Sequence, residues 1–258
     1  MISHANYFSN ENMYLSNSKL SDFLRCPEYF YKKHITKEIK TYPTDAMIIG
    51  KAVDCWLTEG KDAFDKKFIC VTRRSLKNPP EDVTELNNTQ YELVIKLCEA
   101  VIKTTAYKSL SDHIAQKILF KDMQIGQYFK GLCGIPDWFK IVGDTCYITD
   151  LKTAQDGSPE KYKWTLKGGY YRQQAFYQLL IQHNYPEVKF FVSRHLVVEK
   201  DTDGINQVYA YELNPKRISE AKNEILGLID EIAKLEEFNK RDADFDNPIY
   251  IDEFNDEF

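Results

Sequence analysis

Apolar residues recur three and four positions apart in several stretches of the chain and crowd into short runs elsewhere. In YLSNSKLSDFLRCPEYFYKKHI (14–35) the helical spacing follows Ser16 or Ser18, either of which makes an N-cap. Pro27 then opens a second helix at its first turn, where a missing N–H costs nothing. DAMIIGKAVDCWLTEG (45–60) predicts a helix that Gly60 ends. AFDKKFICV (63–71) predicts a short strand, and TRRSLKNPPEDV (72–83) a basic loop broken by proline. Further helices are expected at 87–105 and 110–119.

The centre reads differently. QIGQYFKGL, GIPDWFKIV and TCYITDLKT are aromatic and β-branched runs separated by glycine turns, which predicts three meandering strands. GGYYRQQAFYQLLIQHNY (168–185) predicts a strongly amphipathic helix, and VKFFVSRHLVVE (188–199) and QVYAYEL (207–213) predict strands around a KDTDG turn. Asn214 and Pro215 start a long last helix over 214–240. Helices, three strands, helix, two strands, helix is the order of an α+β (mixed α/β) domain around one sheet. No composition break divides residues 1–258, so one domain is expected, with a helical part (1–60), a central sheet and helix (120–213) and a tail (241–258).

Composition narrows the class. Hydrophobic residues at 43% and charged residues at 28% suit a soluble globular protein, and no apolar run nears the ~20 residues of a membrane span. The polar, aromatic N-terminus lacks the apolar stretch of an export signal, so a cytoplasmic location and no membrane partner are expected. The six cysteines are scattered without a CxxC pair, which predicts free thiols rather than zinc or iron–sulfur ligands. Net charge is −5, but the last 18 residues carry seven acids and one base. The body is therefore close to neutral, which is compatible with a local basic groove. The acidic, aromatic tail is read as a packing segment or subunit contact.

The chemistry sits in GIPDWFKIVGDTCYITDLKTA (134–154). Side chains two apart on a strand share a face, so Asp150 and Lys152 project together with Ile148 while Leu151 turns away. Asp137 lies 13 residues before Asp150, a span that fits around a hairpin. Two close carboxylates repel unless a positive group stands between them. Magnesium suits that position, because it takes oxygen ligands and binds phosphates through one or two carboxylates. A neighbouring lysine could orient or deprotonate a water, or stabilise charge developing on phosphate. An exposed Asp150–Lys152 ion pair on a half-buried sheet is the plain alternative, and DxK by itself favours it.

Context shifts the balance. Pro136-Asp137 followed by Asp150-Leu151-Lys152 resembles the PD…DxK signature of the PD-(D/E)XK nuclease superfamily. Gln173 and Tyr177 form QxxxY on the next helix, similar to the extra motif of RecB-type nucleases. Residues 14–35 resemble the N-terminal helical motif of RecB-type and exonuclease VIII-like proteins, and IIGKAVDCWL resembles their G-x-x-x-H helix. The segments follow in the family's order.

The resemblance implies a restriction-endonuclease-like core, with Asp137, Asp150, Lys152, Gln173 and Tyr177 catalytic. It implies metal ligation by Asp137, Asp150 and the Leu151 carbonyl, with Mg²⁺ as cofactor and Mn²⁺ as substitute. Asp54 stands where relatives often carry histidine, and as a carboxylate it could complete the site. The cysteine triplet of iron–sulfur relatives is missing, so no cluster is expected. Arg25 and Arg172, beside motifs, are the preferred DNA contacts, with Arg73 and Arg74 in the loop as further candidates, and Tyr170 and Tyr171 could stack on bases or belong to the core.

The leading expectation is an end-dependent 5′–3′ double-stranded DNA exonuclease of the phage recombination type. It would be a homo-oligomer feeding a single-strand annealing protein. A RecB-type single-strand exonuclease or endonuclease in repair or defence is the alternative enzyme. A non-catalytic DNA-binding or assembly module on the same fold is the alternative outside catalysis.

Overall fold

The computed structural model describes residues 13–71, 83–200 and 204–239. A two-residue strand β1 (Tyr14–Leu15) leads into α1 (Asn17–Arg25), where Ser16 Oγ accepts from the Lys19 N–H. α2 (Pro27–His34) begins on its proline and places Glu28 in the first turn and Lys32, Lys33 and His34 in the last, matching the helix dipole at both ends. α3 (Asp45–Glu59) is capped by Thr44 and stops at Gly60, whose φ of +95° only glycine adopts without strain.

The chain then turns into α4 (Lys61–Lys67) and β2 (Phe68–Val71), so the strand expected over 63–71 is confined to its last four residues. Asp62 in the first turn and Lys66 and Lys67 in the last favour the helix there. β3 (Thr84–Asn87) pairs parallel with β2 and ends in an Asn87–Gln90 capping box that launches α5 (Asn88–Ile102).

No helix forms over 110–119. A single turn, α6 (Thr105–Lys108), is followed by β4 (Ile114–Ala115), and Gln116 then takes φ +48°, which a continuing helix forbids. QIGQYFKGL is a hairpin rather than a strand. β5 (Leu119–Ile125) turns at Gly126, φ +54°, into β6 (Phe129–Gly134). With β1 these make a separate sheet of order β1-β6-β5, so the expected single sheet is instead three among the described residues.

β7 (Trp138–Val142) and β8 (Thr145–Ala154) form the next hairpin. From β8 the chain crosses through α7 (Pro159–Thr165), a π-helical turn (Leu166–Tyr170) and α8 (Tyr171–Asn184) to β9 (Phe190–Glu199), parallel to β8. β10 (Val208–Glu212) and α9 (Pro215–Lys234), capped by Asn214, complete the fold. The main sheet has the order β10-β9-β8-β7-β4, with β8 central.

Two apolar clusters lie on its two faces. Phe139, Cys146 and Ile148 pack with α1, α2, α8 and α9, whereas Trp138, Leu151, Leu196 and Val198 pack with α3 and α5. Alternation along β8 therefore sends Asp150 and Lys152 to the α8 face with Ile148. α8 is not amphipathic in the expected way. It is buried continuously from Gln174 to Gln178, because α9 packs on one side and the β5–β6 hairpin on another. Among the described residues no helix is long and apolar enough to cross a membrane.

Candidate active site

The β7–β8 hairpin and the parallel β8–β9 pair bring the sequence motifs into one place. Asp137 precedes β7, and its Oδ2 accepts the Leu151 N–H at 2.7 Å, so the PD turn is fastened to the DLK strand. Asp150 is buried at 1% exposure and its carboxylate meets the Lys152 ammonium. Lys152 Nζ also donates to Gln173 Oε1 at 2.9 Å, and Gln173 Nε2 donates to the Tyr177 hydroxyl at 3.0 Å. The four-residue spacing of QxxxY thus delivers both side chains to the end of β8 beside Lys152. Gly134 permits the approach of α8. A Cβ there would stand 2.9 Å from Leu180 Cδ1 and 3.3 Å from Tyr177 Cε1.

Asp54 enters from α3. Gln116 Nε2 lies 3.2 and 3.3 Å from its two carboxylate oxygens and 3.4 Å from Asp137 Oδ1, bridging the two acids. The charges are closely linked. Burial, then Asp150 and Glu59, push the Asp54 carboxyl from 3.8 to about 7. Burial, Asp150 and Asp54 raise Asp137 well above the carboxylate range. Burial would lower the Lys152 ammonium, but attraction to Asp150 and Asp137 outweighs it and holds the lysine protonated.

Gln116 carried no sequence signal. Its left-handed backbone and its place between two acids emerge only in the fold. His195 was equally silent and stands directly opposite Asp150 on β9. Of the two tyrosines read as base-stacking or core residues, Tyr170 has its ring 4.6 Å from Lys152 Nζ, whereas Tyr171 packs against the core.

Hard oxygen donors from three acids suit Mg²⁺ or Mn²⁺, and beyond burial the charge of Asp150 raises both Asp54 and Asp137, a repulsion that a dication relieves. Asp150 Oδ2 is buried and paired with the Lys152 ammonium, so its charge is already met by a cation. Among the described residues no three His, Cys, Asp or Glu side chains close into a ready metal cage. Gln116 and Lys152 supply the positive ends between the acids instead.

The proposed DNA contacts differ in setting. Arg25 is exposed, its guanidinium 4.6 Å over the Tyr29 ring. Arg172 is largely enclosed, donating to Glu224 Oε1 at 2.8 Å and Ser21 Oγ at 3.0 Å, so it ties α8 to α9 and α1. To meet phosphate it would have to release both. Arg73, Arg74 and the acidic tail lie outside the described residues.

The profile of a family described as "PDDEXK-like domain of unknown function (DUF3799)" matches residues 16–243. The chain belongs to that family. This PDDEXK-like chain therefore has the mixed α+β nuclease-type fold that its motifs imply. A crystal structure from Eubacterium rectale, of a protein provisionally described as an exonuclease, superposes with TM-score 0.65. The two share 16% identity over 90% of this chain and 83% of that one, a likeness of fold. A second solved structure, SSO0001, gives TM-score 0.37 at 11% identity over 84% and 76% of the two chains. No curated protein sequence matches the PDDEXK-like chain.

Proposed function

We propose that this PDDEXK-like chain is a metal-dependent deoxyribonuclease that hydrolyses phosphodiester bonds. The observation that carries the reading is the bond from the Leu151 N–H to Asp137 Oδ2. It locks two acids beside a lysine that the QxxxY pair holds from the other side. When bound, Mg²⁺ or Mn²⁺ would polarise a phosphate oxygen and lower the pKa of a water. Asp137, Asp150, the Leu151 carbonyl and Asp54 are the groups that would hold it.

Lys152 is protonated in this arrangement, so its first role is to donate toward negative charge developing on the phosphate or to orient the attacking water. Gln173 fixes the direction of that ammonium, and Tyr177 fixes Gln173. Asp150, buried beside Lys152, keeps the cationic end of the lysine within reach of the strand ends. The substrate is proposed to be linear double-stranded DNA degraded from an end, 5′ to 3′, leaving single strands for an annealing partner. The likeness of RecB-type and exonuclease VIII-like motifs supports that finer reading, as does the fold shared with the Eubacterium rectale protein.

The experiment compares linear 5′-phosphorylated duplex with closed circles in Mg²⁺, Mn²⁺ and EDTA, with Asp150→Ala as control. Metal-dependent loss of linear DNA alone, absent in the variant, is expected. Cleavage of circles would replace the end-dependent reading with an endonuclease, and full activity in Asp150→Ala would overturn the site.

A further inference from the structure

His195 Nε2 is buried without a hydrogen-bond partner, and Asp150, on the adjacent strand, has its Oδ2 paired with the Lys152 ammonium. An unpaired buried polar atom is uncommon enough to call for an explanation. Asp150 and His195 are direct Cα partners in the parallel β8–β9 register, and partners in register share a sheet face. Both are 1% exposed.

The other side of the histidine ring bears on which nitrogen carries the proton. His195 Nδ1 is 2.8 Å from the hydroxyl of Tyr162, itself 1% exposed. Burial raises the Tyr162 phenol, so it keeps its proton. A buried phenol needs an acceptor, and Nδ1 is the acceptor at hand. Nδ1 then bears the lone pair and Nε2 the hydrogen. The opposite tautomer would leave a second lone pair facing a carboxylate. The neighbouring aromatic rings support this placement: Tyr162 stacks on Tyr211 at 5.1 Å, and Tyr170 stands edge-on to His195 at 5.5 Å.

We propose that His195, held by Tyr162 as the Nε2–H tautomer, is a positioning residue that orients the Asp150 carboxylate for the cation. The inference rests on the proposed metal site and adds to it a layer that the PD…DxK and QxxxY motifs do not contain. An Nε2–H donor and an Oδ2 acceptor on opposed residues satisfy one another once the carboxylate is released from the Lys152 ammonium. A neutral donor leaves the full negative charge on Asp150, whereas the ammonium competes for it. Outer partners of this kind set the direction of a ligand oxygen and thereby its affinity for metal.

The test is Mn²⁺ binding to the full chain without DNA, read as free Mn²⁺ by electron paramagnetic resonance, with circular dichroism to verify folding. His195→Leu is expected to weaken Mn²⁺ binding by about 10–100-fold. His195→Gln, which can place an N–H near the Nε2 position, is expected to restore most of it. Tyr162→Phe, which frees the tautomer, is expected to weaken binding to an intermediate degree.

A folded His195→Leu that binds Mn²⁺ like the wild type overturns the proposal, because Asp150 then needs no donor from His195. Equal loss in His195→Gln and His195→Leu also overturns it, since ring shape rather than the donor would matter. Should His195→Leu fail to fold, Tyr162→Phe decides, and unchanged binding there refutes the relay. Asp150→Ala separates the two levels. If it binds Mn²⁺ normally the metal site itself falls, whereas loss there with normal binding in His195→Leu removes only the histidine's role.

Discussion

Asp54→Asn should make the metal-free protein more stable, although it removes a proposed ligand. Burial and the facing Asp150 raise the Asp54 carboxyl from 3.8 to about 7. An acid whose pKa is raised by folding keeps its proton in the folded chain after the unfolded chain has released it. Its stabilising contribution is therefore complete below about pH 4 and disappears as pH rises through about 7. At about 1.4 kcal/mol per pH unit, that displacement amounts to about 4 kcal/mol lost across the interval.

Asparagine has no proton to lose and still offers an oxygen to the Gln116 amide. Thermal unfolding in EDTA from pH 4 to 8 should show the two proteins converging near pH 4. By pH 8 the variant should melt roughly 8–16 °C higher, at about 2–4 °C per kcal/mol for a chain of this size. Mn²⁺ at a hundred times its Kd should stabilise the wild type by about 2.7 kcal/mol and the variant, one carboxylate short, by less. A variant no more stable than the wild type at pH 8 in EDTA, or one with an equal gain from Mn²⁺, would refute the account of a buried Asp54 raised further by Asp150.

Other outcomes follow from the same contacts. Lys152→Met should abolish DNA hydrolysis yet tighten Mn²⁺ binding measured calorimetrically, because the ammonium that competes for Asp150 is gone. It should also lower metal-free stability by roughly 3–5 kcal/mol, through the unpaired buried carboxylate. Gly134→Ala should cost about 1–3 kcal/mol in urea unfolding, because its Cβ would press on Leu180 and Tyr177. Turnover should fall more than substrate affinity as the QxxxY pair is displaced. Phe30→Ala should cost about 3–5 kcal/mol, since the ring is fully buried against Phe23, Phe129 and Phe238. An unchanged urea midpoint would mean that this aromatic cluster contributes little.

Much of the candidate site was legible in local spacing. PD…DxK and QxxxY place residues two and four apart, and strand and helix geometry alone turns those spacings into shared faces. Caps and breakers were equally readable: Ser16, Pro27, Gly60 and Pro215 act where their backbone chemistry dictates. The errors arose where local propensity was weak or where a tertiary partner overrode it. AFDKK joined a helix because charges at its ends match the dipole, and residues 110–119 became a turn and a strand because β4 gains a ladder with β7.

By itself, the sequence determined the fold class, the hairpin that carries the acids, and which residues each element would present together. The tertiary structure alone decided what those residues meet. Gln116 reaches Asp54 and Asp137 from positions 62 and 21 residues away, and His195 faces Asp150 across 45 residues of chain. Arg172, attractive by its neighbours in sequence, is engaged by Glu224 and Ser21 from two other helices. Such pairings depend on how sheet faces and helices are stacked, and side-chain periodicity within one segment carries no information about the segment that will be packed against it.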